Sequence, residues 1–471
     1  MTLFLPELAL LLTALVFFFA SLAKLKETHL QGLGLLFSGM AVLVSLYSYG
    51  MHGSLFFNAY RVDAFSQIFK VIIAFGLFIV IYLGSGLYGI ENALRPEYYL
   101  FLTLSAFGLM VMSSAVELIT IILCLEIHSF ALFIIIPFRK HGAYRKQMEA
   151  GIKYALFGAA ASGISLYGIS YIFGMTHTTY LVDLVKIIPG IILKKPLMLI
   201  GLVMLLSGFF YKLALFPMHF WAPDVYEGAA NETSGFVATL PKVGAVALLI
   251  RLITLAGVDA TQFTWVLMIF AVLSMTFGNL SALVQNDIKR LLAYSSIAHA
   301  GYVMIGLLCA TEFGYLSGVY YIAGYLLMNL ACFFVIYNLA PQGENITFAD
   351  LSGLYKRSPL LALTLAVGAF GLAGIPPTIG FTGKLFLFTA GIKKGMYALI
   401  ILAVINTGIA VFYYLKMVRA AYSSVETPVS PLNLKWSTSI LGIFLIVIIL
   451  LLGTFPQGFM SVAKEAIAAA L

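Results

Sequence analysis

The stretch Gly208-Phe-Phe-Tyr-Lys-Leu-Ala-Leu-Phe-Pro217 ends an apolar run that begins near residue 197 and sets a lysine five residues before a proline. Roughly 20 apolar residues are what a helix needs to cross a bilayer. Proline removes a backbone donor, so this helix has to break where freed carbonyls find no bulk water. Ala373-Gly-Ile-Pro-Pro-Thr-Ile-Gly-Phe-Thr-Gly-Lys384 repeats the pattern, again with a lysine beside the break. Outward from these two places, runs such as Val71–Leu83 and Ile440–Leu452 are apolar on every face. Transmembrane barrels alternate instead, so the spans are helices. With 62% hydrophobic and 10% charged residues over 471 positions, the composition excludes a soluble domain, where about a quarter of residues are charged.

Apolar runs between charged or turn-rich breaks predict fourteen helices, near 3–23, 30–50, 65–89, 98–115, 117–137, 153–174, 197–216, 230–256, 262–284, 290–310, 314–339, 359–391, 395–421 and 437–457. The chain reads as an all-α integral membrane protein whose seventh and twelfth helices are discontinuous. These lie five spans apart, and an odd offset makes the two copies cross in opposite directions, as inverted repeats do. Leu3–Ala23 lacks the basic start of a cleaved signal and reads as a retained first span. With the N-terminus outside, the inner loops hold fifteen Lys and Arg against seven in the outer ones, which puts both termini on the outer side.

Cys124, Cys309 and Cys332 stand isolated in apolar runs, so iron–sulfur, haem-attachment and zinc sites are not expected. No glycine-rich nucleotide loop is written, which leaves any redox chemistry to other chains. The net charge of +8 sits in short loops as an orientation signal, so no nucleic-acid partner is expected.

Five cations remain inside spans: Lys70, Lys212, Lys242, Arg251 and Lys384, with Glu126 as the deepest acid. An ionisable group at that depth is costly unless paired, hydrated or neutral. Lys70 and Arg251, near helix ends, are expected to snorkel to an interface. The same escape fails for Lys212, Lys242 and Lys384, which have long apolar flanks and lie beside Pro or Gly irregularities. A buried lysine with an acidic partner is able to load and release a proton in turn, and a series of such groups is a proton relay. His299 has Ser295 and Ser296 at i−4 and i−3, and with His219 it is a candidate intermediate station against the plainer reading of a satisfied packing residue.

Six stretches carry a family resemblance across nearly the whole chain: Leu125-Glu-Ile-His-Ser129, Ile152-Lys-Tyr154, the segment 210–229, Ala238-Thr-Leu-Pro-Lys242, the segment 288–302 and Ala373–Lys384. They resemble the antiporter-like membrane subunits shared by respiratory complex I, membrane hydrogenases and multisubunit cation/proton antiporters, and among them the N type. The resemblance implies inverted five-helix repeats at helices 4–8 and 9–13. It divides the chain into residues 1–97 for helices 1–3, 98–256 for a proton-uptake half-channel, 257–421 for an exit half-channel and 422–471 for helix 14. By motif position Glu126, Lys212, Lys242 and Lys384 match the family's relay residues, and Lys153, His219 and His299 match polar positions on its membrane axis. Since the sequence ends soon after helix 14, the long lateral helix of the L type is not expected.

On this resemblance the expected function is a non-redox, proton-translocating subunit of an NADH:quinone oxidoreductase. NADH, FMN, iron–sulfur clusters and quinone would belong to partner subunits, with none bound here. M-type and K-type neighbours and a bacterial inner membrane would surround it. A sodium/proton antiporter or membrane hydrogenase subunit, and a scaffold whose charges only hold neighbours, are the rivals. Two departures stand out: Asn231 and Glu232 occupy positions where relatives usually have prolines, and His128 stands where an apolar residue is usual.

Overall fold

The computed structural model describes residues 2–23, 27–84, 86–140, 144–257, 260–424 and 430–470. Lys24 and Lys26, both counted among the inner-side charges, and the loop residue His141 lie outside the described residues. Among the described residues, twelve helices are long and apolar enough to cross a membrane.

The chain starts with α1 (Leu5–Ala23), α2 (Glu27–Tyr47) and α3 (Ala64–Leu83); a small antiparallel hairpin of β1 (Gly53–Leu55) and β2 (Tyr60–Val62) joins the last two. The third expected span stops at Leu83 rather than 89, because Gly84 caps it by donating its amide to the Val80 carbonyl. Next come α4 (Arg95–Ser114) and α5 (Leu118–Ile135). Glu117 separates them as expected, its carboxylate accepting from the amides of Ile119 and Thr120 at the start of α5. α6 (Tyr144–Thr176) and the amphipathic α7 (Leu181–Ile192) follow.

The first broken helix consists of α8 (Pro196–Leu205) and α9 (Ser207–Leu213), succeeded by the short α10 (Ala222–Gly228). Its last residue, Leu213, lies three positions before the expected Phe216-Pro217, and Ala214, with a φ of 59°, turns the chain out of the helix. α11 (Asn231–Ile253), α12 (Thr261–Leu283), α13 (Ile288–Leu308) and α14 (Glu312–Leu339) are continuous. Two single turns, α15 (Phe348–Leu351) and α16 (Leu354–Arg357), lead to the second broken helix. That helix comprises α17 (Pro359–Ala373) and α18 (Ile379–Lys393), interrupted at Gly374 with φ 87°. α19 (Tyr397–Ala421), α20 (Trp436–Thr454) and α21 (Gln457–Ala470) complete the chain.

α11 and α14 are buried along their length and pack on each other at the centre. The broken pair α8–α9 reaches the centre through α9 against α11, and α17–α18 packs on α14. The outer helices show lipid-type faces of large apolar side chains, such as Leu22, Leu43, Trp265 and Ile401. The sequence reading had no helix at α7 or α21. Both are short and one-sided, with Leu184 and Ile188 buried on the first and Ala463 and Ile467 on the second, so neither forms an apolar run of spanning length.

The expected snorkelling of Lys70 and Arg251 is overturned. Lys70 is fully buried, its Nζ 2.8 Å from the Glu7 carboxylate and 2.9 Å from the Tyr60 hydroxyl. Tyr60 donates in turn to Glu7 at 2.5 Å. Arg251 holds both oxygens of Asp63 at 2.9 Å from one guanidinium nitrogen. Each cation therefore ends on an acid from another part of the chain, and the two pairs fasten α1 and α3 to each other and to α11. Glu7→Gln leaves the Lys70 charge buried without its counter-ion and is expected to destabilise the protein by about 3–5 kcal/mol, whereas the double variant Glu7→Gln/Lys70→Met recovers much of the loss. Thermal unfolding in detergent measures the difference.

Candidate functional site

A helix interrupted inside a bundle exposes carbonyl oxygens at its C-terminal end, where the helix dipole is negative. Both breaks meet this need with a buried amine. Lys242, on α11, donates to the Leu213 carbonyl at 2.6 Å, at the end of α9. Lys384, on α18, reaches back to the carbonyls of Leu372 and Ala373 at 3.1 and 2.9 Å, at the end of α17. Only glycine fits at 374, since its positive φ is paired with a Lys384 Cδ that would lie 2.9 Å from a Cβ there. Lys384 also sits over the Tyr302 ring, 4.7 Å from its centroid.

Lys212 takes another solution. Its amine donates to the Tyr154 hydroxyl at 3.0 Å and lies 5.0 Å from the ring centres of both Tyr154 and Tyr211. Glu126, on α5, is half-buried; it is electrostatically coupled to Lys212, yet among the described residues no ion pair joins the two. One Glu126 carboxylate oxygen, Oε1, is buried with no hydrogen-bond partner among the described residues.

His299, on α13, lies within electrostatic reach of Lys242 and Lys384. Its Nδ1 pairs with the Tyr321 hydroxyl at 2.6 Å and its Nε2 with the Tyr414 hydroxyl at 3.1 Å, and Tyr414 also meets Ser295. Ser296 bonds the Tyr226 hydroxyl at 3.3 Å. Toward Lys384, the Tyr302 hydroxyl receives Thr407 at 3.2 Å, while Tyr413 donates to Asn279 at 2.9 Å. A hydroxyl both donates and accepts, so tyrosines and serines beside amines and an imidazole are chemically able to take up a proton on one side and release one on the other.

The sequence had put Lys212, Lys242, Lys384 and His299 inside spans, and all four are buried. His219 stands apart: it is stacked between Phe216 and Phe220, with ring centres 5.6 and 4.3 Å away, and has no bond to Lys212. His128 is buried against Ser105, whose hydroxyl pairs with its Nδ1 at 2.7 Å. The tyrosines were missed. Tyr side chains gather at membrane interfaces, so a tyrosine within a span and next to a lysine, such as Tyr211 beside Lys212, was the available signal.

Lys153 belongs to a charged network at the end of the bundle where α6 and α13 begin. It pairs with Glu149 at 2.6 Å and with Asp224 at 2.5 Å. Arg290 joins Asp224 at 2.8 Å to Glu227 at 2.7 Å, and Lys146 closes on Glu227 at 2.7 Å. Burial pushes the carboxyls of Asp224 and Glu227 up, but hydrogen bonds from Lys153 and Arg290 to the first, and from Lys146 and Arg290 to the second, outweigh it and hold both below the ordinary range. Among the described residues no three His, Cys, Asp or Glu side chains are placed to share a metal ion.

Residues 115–410 match the family described as NADH:quinone oxidoreductase/Mrp antiporter, TM. The chain belongs to this family. It is 46% identical over 456 residues to the NADH-quinone oxidoreductase subunit N 2 of Opitutus terrae, covering 96% of this chain and 95% of that one. The protein of the same name from Solidesulfovibrio magneticus is also 46% identical, over 98% of this chain and 97% of its own. Among solved structures, a chain of respiratory complex I from Thermus thermophilus with bound aureothin superposes with a TM-score of 0.84 at 29% identity, over 98% of this chain and 100% of that one. The broken helices and the buried lysines thus sit within a multi-pass membrane protein of antiporter-like fold.

Because Asp224 and Glu227 bind protons less readily folded than unfolded, their network adds stability that is complete above about pH 5 and lost as pH falls through their lowered folded values. Arg290→Gln is therefore expected to lower the melting temperature at neutral pH, with the gap to the wild type closing on acidification below about pH 4. Melting curves of the detergent-purified protein across pH test this.

Proposed function

We propose that this chain is a non-redox, proton-translocating membrane subunit of a proton-pumping NADH:quinone oxidoreductase, the complex named by its relatives. The observation that carries the reading is the set of three buried amines, Lys212, Lys242 and Lys384, with His299 and its tyrosine hydroxyls within electrostatic reach of the last two. Protons are taken up from the inner side near Lys212, with Glu126 adjusting its affinity through charge. They pass Lys242 and His299 and leave near Lys384. His219 and Lys153 support the uptake side, Lys153 from within the charged network.

Under the same reading the chain crosses a bacterial inner membrane fourteen times, with both termini outside and inverted repeats over helices 4–8 and 9–13. The two crossings beyond the twelve are α4 and the broken pair α17–α18. Of the proposed divisions, those at 256 and 421 follow helix ends, whereas 97 lies within the first turn of α4. NADH, FMN, iron–sulfur clusters and quinone act in other subunits, with M-type and K-type chains as neighbours. This chain supplies side chains that hold and pass a proton.

Lys212→Ala and Glu126→Ala are expected to leave the complex assembled while abolishing or strongly reducing proton translocation, by about 10²-fold or more where a proton-transfer group is lost outright. Proton uptake by inverted vesicles per NADH oxidised is the measurement, and normal coupling in either variant contradicts the role. A scaffold without transport predicts instead that Lys242→Ala disrupts assembly and spares pumping in whatever complex remains. Co-purification with small membrane subunits alone, without iron–sulfur and flavin chains, would turn the reading to a cation/proton antiporter.

A further inference from the structure

Glu232 is the second residue of α11 and is buried, with both carboxylate oxygens lacking a hydrogen-bond partner among the described residues. It rests on bare backbone: a Cβ at Gly84 would stand 3.0 Å from its Cγ, and one at Gly89 3.2 Å from its Oε2. The charged and titratable groups facing it come from every side. Arg95, Tyr98 and Tyr99 stand on α4, Lys289 on α13, Tyr337 on α14, and Arg139 just beyond α5. Lys289 is itself fully buried and spends one proton on the Ala229 carbonyl, at 2.9 Å.

Two sets of forces oppose each other here. Burial favours the neutral acid, while the backbone amides of Glu232 and Gly89, which point at it without closing a bond of good geometry, the cations Lys289 and Arg95, and the start of a 23-residue helix favour the carboxylate. Neither protonation state is locked in by a side-chain bond, and a buried carboxylate left in that condition calls for a role. The residue also has polar company leading inward. Ser234, two positions along α11, donates to the Tyr226 carbonyl at 2.9 Å; the Tyr226 hydroxyl meets Ser296, one turn before His299 on α13. Lys289 and Ser296 are seven residues apart on that helix and share its face.

We propose that Glu232 is a proton-loading station that feeds the second half of the chain, with Lys289 as its counter-charge. It takes one proton from water on the side of the Asp224–Arg290 network and becomes a neutral acid. It then returns to carboxylate as the proton passes to the Tyr226–Ser296 hydroxyls, each accepting one proton and giving up one, and on toward His299. No relay role was assigned to Glu232 by the motifs that placed Lys212, Lys242 and Lys384. The proposal rests on the proton-translocating reading above.

The test uses the intact complex with Glu232→Gln, Glu232→Asp or Lys212→Ala in this chain, reconstituted in liposomes. Protons moved per NADH oxidised are expected to fall in Glu232→Gln to the level of Lys212→Ala, and to return at least in part in Glu232→Asp. A wild-type ratio in Glu232→Gln beside a lowered ratio in Lys212→Ala overturns the loading station alone. Wild-type ratios in both overturn the translocating reading itself. A second readout holds if Glu232→Gln fails to assemble: pH-titrated infrared difference spectra of the complex should contain a carboxyl C=O band that moves in Glu232→Asp, and spectra unchanged by that substitution overturn the proposal.

Discussion

A backbone that stops being helical inside a bilayer has to find donors for the carbonyls it frees, and in this protein buried lysine amines provide them. Lys242 closes the end of α9 and Lys384 the end of α17. The dependence runs both ways. The breaks are tolerable because an amine reaches them, and the amines are tolerable at that depth because helix ends, which carry partial negative charge, receive them. Lys289 on the Ala229 carbonyl and Arg139 on the Glu227 carbonyl repeat the device at the end of α10. Lys242, Lys384, Lys289 and Arg139 are thus tied to where regular helix stops, while Lys212 and His299 rest on tyrosine hydroxyls.

The charges are distributed unevenly around this core. At one end the Lys153–Asp224–Arg290–Glu227 network is fully ion-paired and partly solvated. Deeper in, Lys212, Lys242 and Lys384 lie among tyrosines and carbonyls without a bonded carboxylate. On the remaining flank, Glu7–Lys70 and Asp63–Arg251 are closed pairs, suited to holding helices together because neither leaves its cation free. Cations paired with acids fasten helices together, while the others are held by hydroxyls and carbonyls.

Much of the architecture was legible in the sequence because its causes are local. Long apolar runs, Pro and Gly at 217 and 374–377, and lysines within those runs each state their meaning within a few residues. Glu117 announced the boundary between α4 and α5 in the same way. What stayed hidden depends on contacts between distant segments. The partners of Lys70 and Arg251 lie 63 and 188 positions away; near-terminal placement suggested an interface instead. His299 meets Tyr321 and Tyr414, on two other helices, and nothing near it in sequence names them. His219 failed to join Lys212 for the reverse reason: seven residues of separation suggested proximity, but the turn after Ala214 carries its ring into a stack of phenylalanines.

The seating of Lys384 on two carbonyls imposes a rule on any traffic through it. An ammonium is donor-only, so it has nothing with which to accept a further proton until it has given one away. Once neutral, the amine still has two N–H donors for the carbonyls of Leu372 and Ala373, and its lone pair lies in the third direction, the one left for a newcomer. On the proposed relay, the helix end thus acts as the fixed post of a turnstile: it holds two directions of the amine and leaves one way in and out, for one passenger at a time.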